Sequence, residues 1–178
     1  MQNMRDFSAL DSGLALLPGA IVSALMSPIT GRIFDRIGAK WLTIFGMGIM
    51  TISSFAFTTL DTTTSFEFIT IVYTIRMFGL SMVIMPVATA GLNQLPKRLI
   101  PHGAAMDNTM RQIAASVGTA LLVTVMTTTA SQANVDHADI HGINMAFMVV
   151  TILSFIGLIL GFFVKQSSPN VEDERVEG

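Results

Sequence analysis

Long uncharged stretches alternate with short polar segments along the chain. Windows without Asp, Glu, Lys, Arg or His cover residues 12–31, 41–60, 112–135 and 142–164, and a fifth stretch, residues 68–92, qualifies if Arg76 lies inside it. A helix needs about 20 apolar residues to cross the hydrocarbon core of a bilayer, so each stretch is long enough for one crossing. The pattern predicts an all-α polytopic membrane protein with five transmembrane helices, over about residues 12–33, 41–60, 68–92, 109–131 and 143–164.

Composition supports a surface that faces lipid. Charged residues make up 12% of the chain and hydrophobic residues 51%, and the mean hydropathy is +0.63. Soluble domains carry about 25% charged residues, so the deficit is explained if the bilayer is the main partner. The net charge of −2 gives no basic surface for nucleic acid. The chain has no cysteine, which excludes disulfides, a thiol nucleophile and a thiolate metal site within it.

Lysine and arginine follow alternate predicted helices. The joints after the first and third helices hold Arg32, Arg36, Lys40, Lys97 and Arg98. The joints after the second and fourth helices, residues 61–67 and 131–142, hold no Lys or Arg. Because cytoplasmic loops carry an excess of these residues, the bias predicts an N-terminus outside and a C-terminus in the cytoplasm.

The joints are too short to form a separate soluble domain. We therefore expect residues 1–165 to form one helical bundle. Residues 166–178 are polar and acidic, which is typical of a disordered tail.

The joint GRIFDRIGAK, residues 31–40, contains more than an orientation signal requires. Asp35 can cap the next helix or pair with an arginine across the joint. Gly31 allows a neighbouring helix to approach closely, and Gly38 supplies a position with positive φ. A charge-paired joint with a glycine hinge favours a gate, whereas a simple anchor needs only the cations. The candidate gating residues are Gly31, Asp35, Arg36, Gly38 and Lys40.

The spacing Gly-x-x-x-Asp-Arg-x-Gly-x-Lys resembles the cytoplasmic loop signature of the major facilitator superfamily. The stretches SALDSGLALLPGAIVSALMSPITGRIFDRIGAK, YTIRMFGLSMVIMPVATAGLNQLP and HGAAMDNTMRQIAASVGTALL are similar to the EmrB/QacA-type drug:proton antiporters with fourteen helices, a group that includes lincomycin-resistance-type exporters. The resemblance implies efflux of lipophilic, often cationic, drugs across a bacterial plasma membrane. It also implies the proton gradient as the energy source, without a cofactor, and alternating access as the mechanism.

In that family the loop signature follows the second helix of each six-helix half, but here it follows the first predicted helix. The resemblance therefore implies that this chain is a C-terminal segment, with one helix of its own half and an N-terminal half lying upstream. That N-terminal half would then be a partner. The alternative is a small membrane protein that transports nothing and acts as a scaffold or regulator by pairing with other helices.

Arg76 is the residue least compatible with lipid. It lies about nine residues into the third predicted helix, hence roughly 13 Å deep. A charge near the middle of the membrane costs from a few to more than ten kcal/mol, so it normally faces protein or water. The same helix face carries the mostly small residues Val72, Gly79, Val83, Pro86 and Ala90. We expect a role in substrate binding or proton coupling; the alternative is a structural arginine bonded to backbone carbonyls.

Four polar residues open the fourth predicted helix: Asp107, Asn108, Arg111 and Gln112. Asp107 and Arg111 are four apart and can pair along one face. Either the four form an ion-paired helix end, or they line a polar vestibule that admits substrate and contributes to its binding or to proton coupling.

Three prolines, Pro18, Pro28 and Pro86, remove backbone hydrogen bonds inside predicted membrane helices. Such positions act as hinges in transporters, and simple kinks are the alternative.

No metal site or catalytic group is predicted. Asp136, His137, Asp139 and His141 have the spacing of metal ligands, but a solvated loop explains them better. The chain shows neither a phosphate-binding glycine loop nor a nucleophile with its base, so we do not expect an enzyme.

The charge bias generates a test of orientation. Single cysteines at Thr63 and Ala138 should react with a membrane-impermeant thiol reagent added outside intact cells, whereas a cysteine at Ala39 should not. Labelling at Ala39 from outside would contradict the predicted orientation.

Overall fold

The computed structural model describes residues 9–61, 64–132 and 138–163. Within these ranges every regular element is a helix, so the expected all-α class is confirmed. The α-helices are α1 (Ala9–Ala56), α2 (Phe66–Leu92), α3 (Ile100–Gln132) and α4 (Ala138–Phe163). Short 3₁₀ turns, Phe57–Thr59 and Lys97–Leu99, follow α1 and precede α3.

Helix α1 consists of two arms that fold back on each other at Gly38. Gly38 has φ 78° and ψ 172°, a conformation that is essentially restricted to glycine. Ala15 in the first arm and Leu60 just after the second line the same cavity, although a straight helix would separate them by about 67 Å. The positive φ predicted for Gly38 is therefore confirmed, and the first arm (residues 9–37) and second arm (39–56) form a hairpin.

The helices extend beyond the predicted membrane spans into the joints. Residues 31–37 continue the first arm as helix, so the reversal is confined to Gly38. Helix α3 begins at Ile100 instead of residue 109. The length of an apolar stretch reflects the thickness of the hydrocarbon layer. The helix itself can continue beyond that layer, because its backbone hydrogen bonds form equally well where the side chains are polar and reach water.

Four helices in the described ranges are long and apolar enough to cross a membrane: Gly13–Thr59, Phe66–Leu92, Lys97–Gln132 and Ala138–Phe163. The first is about twice the length that one crossing needs. Because it contains both arms of the hairpin, the five predicted helices correspond to five helical segments.

Both arms of α1 pack on α2 through glycines. A Cβ added at Gly46, in the second arm, would lie 2.7 Å from the carbonyl oxygen of Gly79, and one at Gly79 would lie 2.9 Å from that of Gly46. In the first arm, a Cβ at Gly19 would lie 2.6 Å from the Tyr73 ring. Since apolar side chains gain little by leaving lipid, such close backbone packing is what holds membrane helices together.

Near the hairpin tip, a small apolar cluster joins the two arms to α2. Phe34, Ala39 and Leu42 are buried there, and Ile33 and Ala90 pack against them. The end of α2 and the start of α3 therefore lie at the same end of the bundle as Gly38.

Helix α4 packs on the second arm and carries α3 on its other side. Phe57 and Phe147 stack with ring centroids 4.8 Å apart, and the Asn144 side-chain amide donates to the Leu60 carbonyl at 2.9 Å. Gly142 lies against the Met126 backbone of α3. No residue of α3 is buried, so this helix forms the edge of the described bundle.

The burial of Ala39 changes the design of the labelling experiment. Ala39 is 0% exposed, so a cysteine there would stay unlabelled from either side. Ile37 immediately precedes Gly38 and is 44% exposed, so it is the better labelling position for this end. Ser131, at the end of α3, is exposed and serves for the opposite end.

The geometry of Gly38 predicts that alanine substitutions at the two glycines of this joint will differ in their effect on stability. Gly38→Ala should lower the free energy of unfolding by about 1–3 kcal/mol, because alanine is strained at this φ and ψ. Gly31→Ala is the control: Gly31 is helical and a Cβ there meets nothing within 4 Å. It should be neutral or stabilising by up to about 1 kcal/mol. Thermal unfolding in detergent measures both, and equal losses would contradict the hairpin geometry.

Candidate functional site

The charged side chains of the hairpin tip are separated from one another in the structure. Arg32, Asp35 and Arg36 are exposed and Lys40 is half-buried. Among the described residues, none of the four forms an ion pair. The expected pairing of Asp35 across the joint is therefore not found. Asp35 also lies in the last turn of the first arm, before Gly38, and so is not in position to cap the second arm.

The role expected of Gly31 is also not found. A Cβ at this position would meet no atom within 4 Å, so no helix of the described chain approaches Gly31 closely. Gly19, Gly46 and Gly79 make the close contacts instead. They lie inside the apolar stretches, where small residues generally mark helix packing, and this signal could have identified them.

Helix α3 brings together two of its four candidate residues. The Arg111 guanidinium donates to the Asp107 carboxylate, as the spacing predicts. The side chains are 46% and 39% exposed, so the pair adds little to stability. Asn108 and Gln112 are also exposed, two to three turns into α3. The role of this group in substrate binding or proton coupling stays a prediction.

A cavity of about 420 Å³ lies at the opposite end of the bundle from Gly38. The first arm of α1, the segment between the second arm and α2, and helices α2, α3 and α4 all contribute to its wall. Its polar lining residues are Asp61, Thr64, Tyr73 and Arg76. Its apolar lining residues are Ala15, Leu16, Phe57, Leu60, Ile69, Leu122, Met126, Ile140, Ile143, Ala146, Phe147 and Val150.

Arg76 is the cationic residue of this cavity. It is half-buried, ten residues from the start of α2 at Phe66, hence about 15 Å along the helix. Val72, Gly79 and Pro86 on its helix face are buried, so this face packs against protein as predicted. Within the described part of the chain the guanidinium makes no hydrogen bond or ion pair. A bond from Arg76 to the carbonyl of a described residue is not found, and its role in substrate binding or proton coupling stays a prediction.

Sequence reasoning missed the residues that enclose Arg76. Phe57, Phe147 and Tyr73 come from three different helical segments, and in each segment they look like ordinary apolar or interfacial positions. Only the packing of α4 on the second arm places the stacked Phe57–Phe147 pair beside the same space as Arg76.

The remaining candidates are the three prolines and the acidic and histidine residues of the last joint. The backbone stays helical at Pro18, Pro28 and Pro86, and their role as hinges stays a prediction. Asp136 and His137 lie outside the described residues. Among the residues that are described, no group of three or more His, Cys, Asp or Glu side chains could hold a metal ion.

Apolar helices of spanning length, close glycine contacts and a charged residue that lines a cavity between the helices define a polytopic α-helical membrane protein. The sequence pattern of the Major Facilitator Superfamily matches residues 1–119. The chain belongs to this superfamily of membrane transporters, which confirms the resemblance drawn from the GRIFDRIGAK signature.

Individual relatives are also transporters. The uncharacterized MFS-type transporter YcnB of Bacillus subtilis is 49% identical over 97% of this chain and 37% of its own length. The lincomycin resistance protein LmrB of the same organism is 41% identical over 89% of this chain and 36% of its own length. The riboflavin transporter RibZ of Clostridioides difficile is 23% identical over 96% of this chain and 39% of its own length. No solved structure matches the chain.

Each of these relatives is much longer than this chain, which spans less than two fifths of their length. Because they are transporters, the alternative of a non-transporting scaffold is not favoured. Membership of the superfamily also places the protein in a membrane.

The exposure of the Asp107–Arg111 pair predicts a small effect on stability. Asp107→Asn should change the free energy of unfolding by no more than about 0.5 kcal/mol, since an exposed pair spaced i, i+4 contributes little. Asn144→Ala should cost about 1 kcal/mol, because it removes the bond to the Leu60 carbonyl. Thermal unfolding of both variants measures the difference. A larger loss for Asp107→Asn would mean that this pair is buried by a further contact.

Proposed function

We propose that this chain is the C-terminal segment of a proton-coupled multidrug efflux transporter of a bacterial plasma membrane. It works by alternating access against an N-terminal half, and it exports lipophilic small molecules. Support comes from its similarity to a lincomycin resistance protein and to other transporters of the superfamily. The proton gradient is implied by the resemblance to drug:proton antiporters.

The observation that carries this proposal is the hairpin tip at Gly38. Alternating access requires two rigid bodies that separate at one end of the protein and close at the other. Each closed end needs contacts that hold it and that can be released. A rigid tip with unpaired charges meets both requirements.

Rigidity comes from the packing beneath the tip. Phe34, Ala39 and Leu42 are buried against α2, and the buried Thr43 hydroxyl donates to the Ala39 carbonyl at 2.8 Å. These contacts hold the tip against the arms and α2.

The charged residues beside Gly38 are free to contact another surface. Asp35 and Arg36 are exposed and form no ion pair with another described residue. Their partners in the closed state would lie on the N-terminal half. Partial removal from water at the contact makes such pairs stronger than the roughly 0–1 kcal/mol of exposed bridges. A difference of about 1.4 kcal/mol shifts a two-state equilibrium tenfold, which is enough to control the gate.

Substitution of Asp35 tests this latch in the full transporter chain. Asp35→Asn should reduce the efflux rate at least tenfold and leave the amount of protein in the membrane unchanged, because the side chain is exposed and its shape is kept. Arg36→Lys keeps the charge but loses the bidentate geometry, so its efflux should be intermediate. Efflux and membrane abundance are measured on the same cells.

Glu67→Gln is the matched control. Glu67 is an exposed carboxylate in the first turn of α2, at the other end of the bundle. It should leave efflux close to that of the wild type. Normal efflux by Asp35→Asn would show that the tip serves only as an orientation signal.

A further inference from the structure

We propose that the cavity around Arg76 binds a lipophilic organic anion. The anionic head contacts the Arg76 guanidinium, and the hydrocarbon body fills the apolar part of the cavity. The charge of the ligand is thereby opposite to that of the cationic drugs implied by the family resemblance.

The first argument is the charge of the cavity. Arginine stays protonated in proteins and presents five donors. The Arg76 guanidinium forms no hydrogen bond or ion pair with a described residue, and twelve apolar side chains line the same space. A charge in such surroundings has lost part of its hydration, and an acidic ligand restores the interaction through a bidentate, charge-assisted pair. A lipophilic cation would instead be repelled.

The second argument is the position of the acidic lining residue. Asp61 is exposed and precedes α2, whereas Arg76 lies about 15 Å along that helix. The Asp61 carboxylate forms no ion pair with the Arg76 guanidinium. The acidic residue of the lining therefore does not pair with the cationic one.

The third argument is size and shape. A volume of about 420 Å³ falls in the lower part of the range of about 300–1,000 Å³ found for small-molecule sites. The stacked rings of Phe57 and Phe147 give a flat wall, and Met126 adds an adaptable one. These features fit one compact apolar body with a single acidic group. They do not fit a phospholipid with two long chains.

Binding can be measured with two dyes that share one ring system and differ in charge. 1-Anilinonaphthalene-8-sulfonate carries a permanent negative charge, and N-phenyl-1-naphthylamine is its uncharged counterpart. The full transporter chain is placed in phosphatidylcholine nanodiscs, and the fluorescence of each dye is titrated against empty nanodiscs. The wild type should bind the sulfonate at least tenfold more tightly than the amine.

Three variants locate the site. Arg76→Gln should weaken sulfonate binding at least tenfold without changing amine binding, and Arg76→Lys should retain part of the preference. Ala146→Phe fills the cavity without altering its charge, so it should weaken both dyes. Arg98→Gln, an exposed cation outside the cavity, is the control and should change neither. Melting temperatures establish that the variants are folded.

Several results would overturn the proposal. One is equal affinity of the wild type for both dyes. Another is unchanged sulfonate binding in Arg76→Gln, or unchanged binding of both dyes in Ala146→Phe if Arg76→Gln does not fold. A third is displacement of the sulfonate by phosphatidylglycerol in the wild type but not in Arg76→Gln, which would identify a phospholipid site instead.

As a statement about cargo, the inference rests on the proposed transport function; as a statement about binding, it does not. The two fail differently. Export of ethidium together with sulfonate binding that is independent of Arg76 would leave the transporter and remove the anion site. Arg76-dependent binding in a protein that exports nothing would support the anion site and contradict the transport function.

Discussion

The reversal of the chain at Gly38 is the constraint on which the other contacts depend. Because φ is 78° and ψ is 172° there, the first arm of α1 returns beside the second, and both lie against α2. The reciprocal contact between Gly46 and Gly79 then sets how closely the backbones approach. In lipid, where apolar side chains gain little from burial, this backbone geometry replaces the hydrophobic core of a soluble domain.

The two ends of the bundle have different chemistry as a result. At the Gly38 end, exposed charges stand on a tightly packed base, which suits reversible contact with another surface. At the opposite end, the segments line a cavity in which Arg76 is the cationic group. The exposed charges and the cavity thus lie at opposite ends of the bundle.

Membership of the Major Facilitator Superfamily explains the hairpin better than it explains the cavity. The loop signature is carried by residues 31–40, which lie within the matched range 1–119. Several cavity residues, including Ile140, Phe147 and Val150, lie on α4 beyond that range. The family match therefore covers the hairpin but not the part of the cavity wall that α4 supplies.

The sequence by itself determined the membrane class, the five helical segments, the positive φ at Gly38 and the Asp107–Arg111 pair. Each of these follows from local spacing or from hydropathy, which a linear pattern records directly. Only the tertiary structure decided that Asp35 has no partner within the described chain, that Gly31 faces open space and that Phe57, Phe147 and Arg76 surround one cavity. These facts depend on which helix faces pack together, and that is set by contacts between residues far apart in the chain.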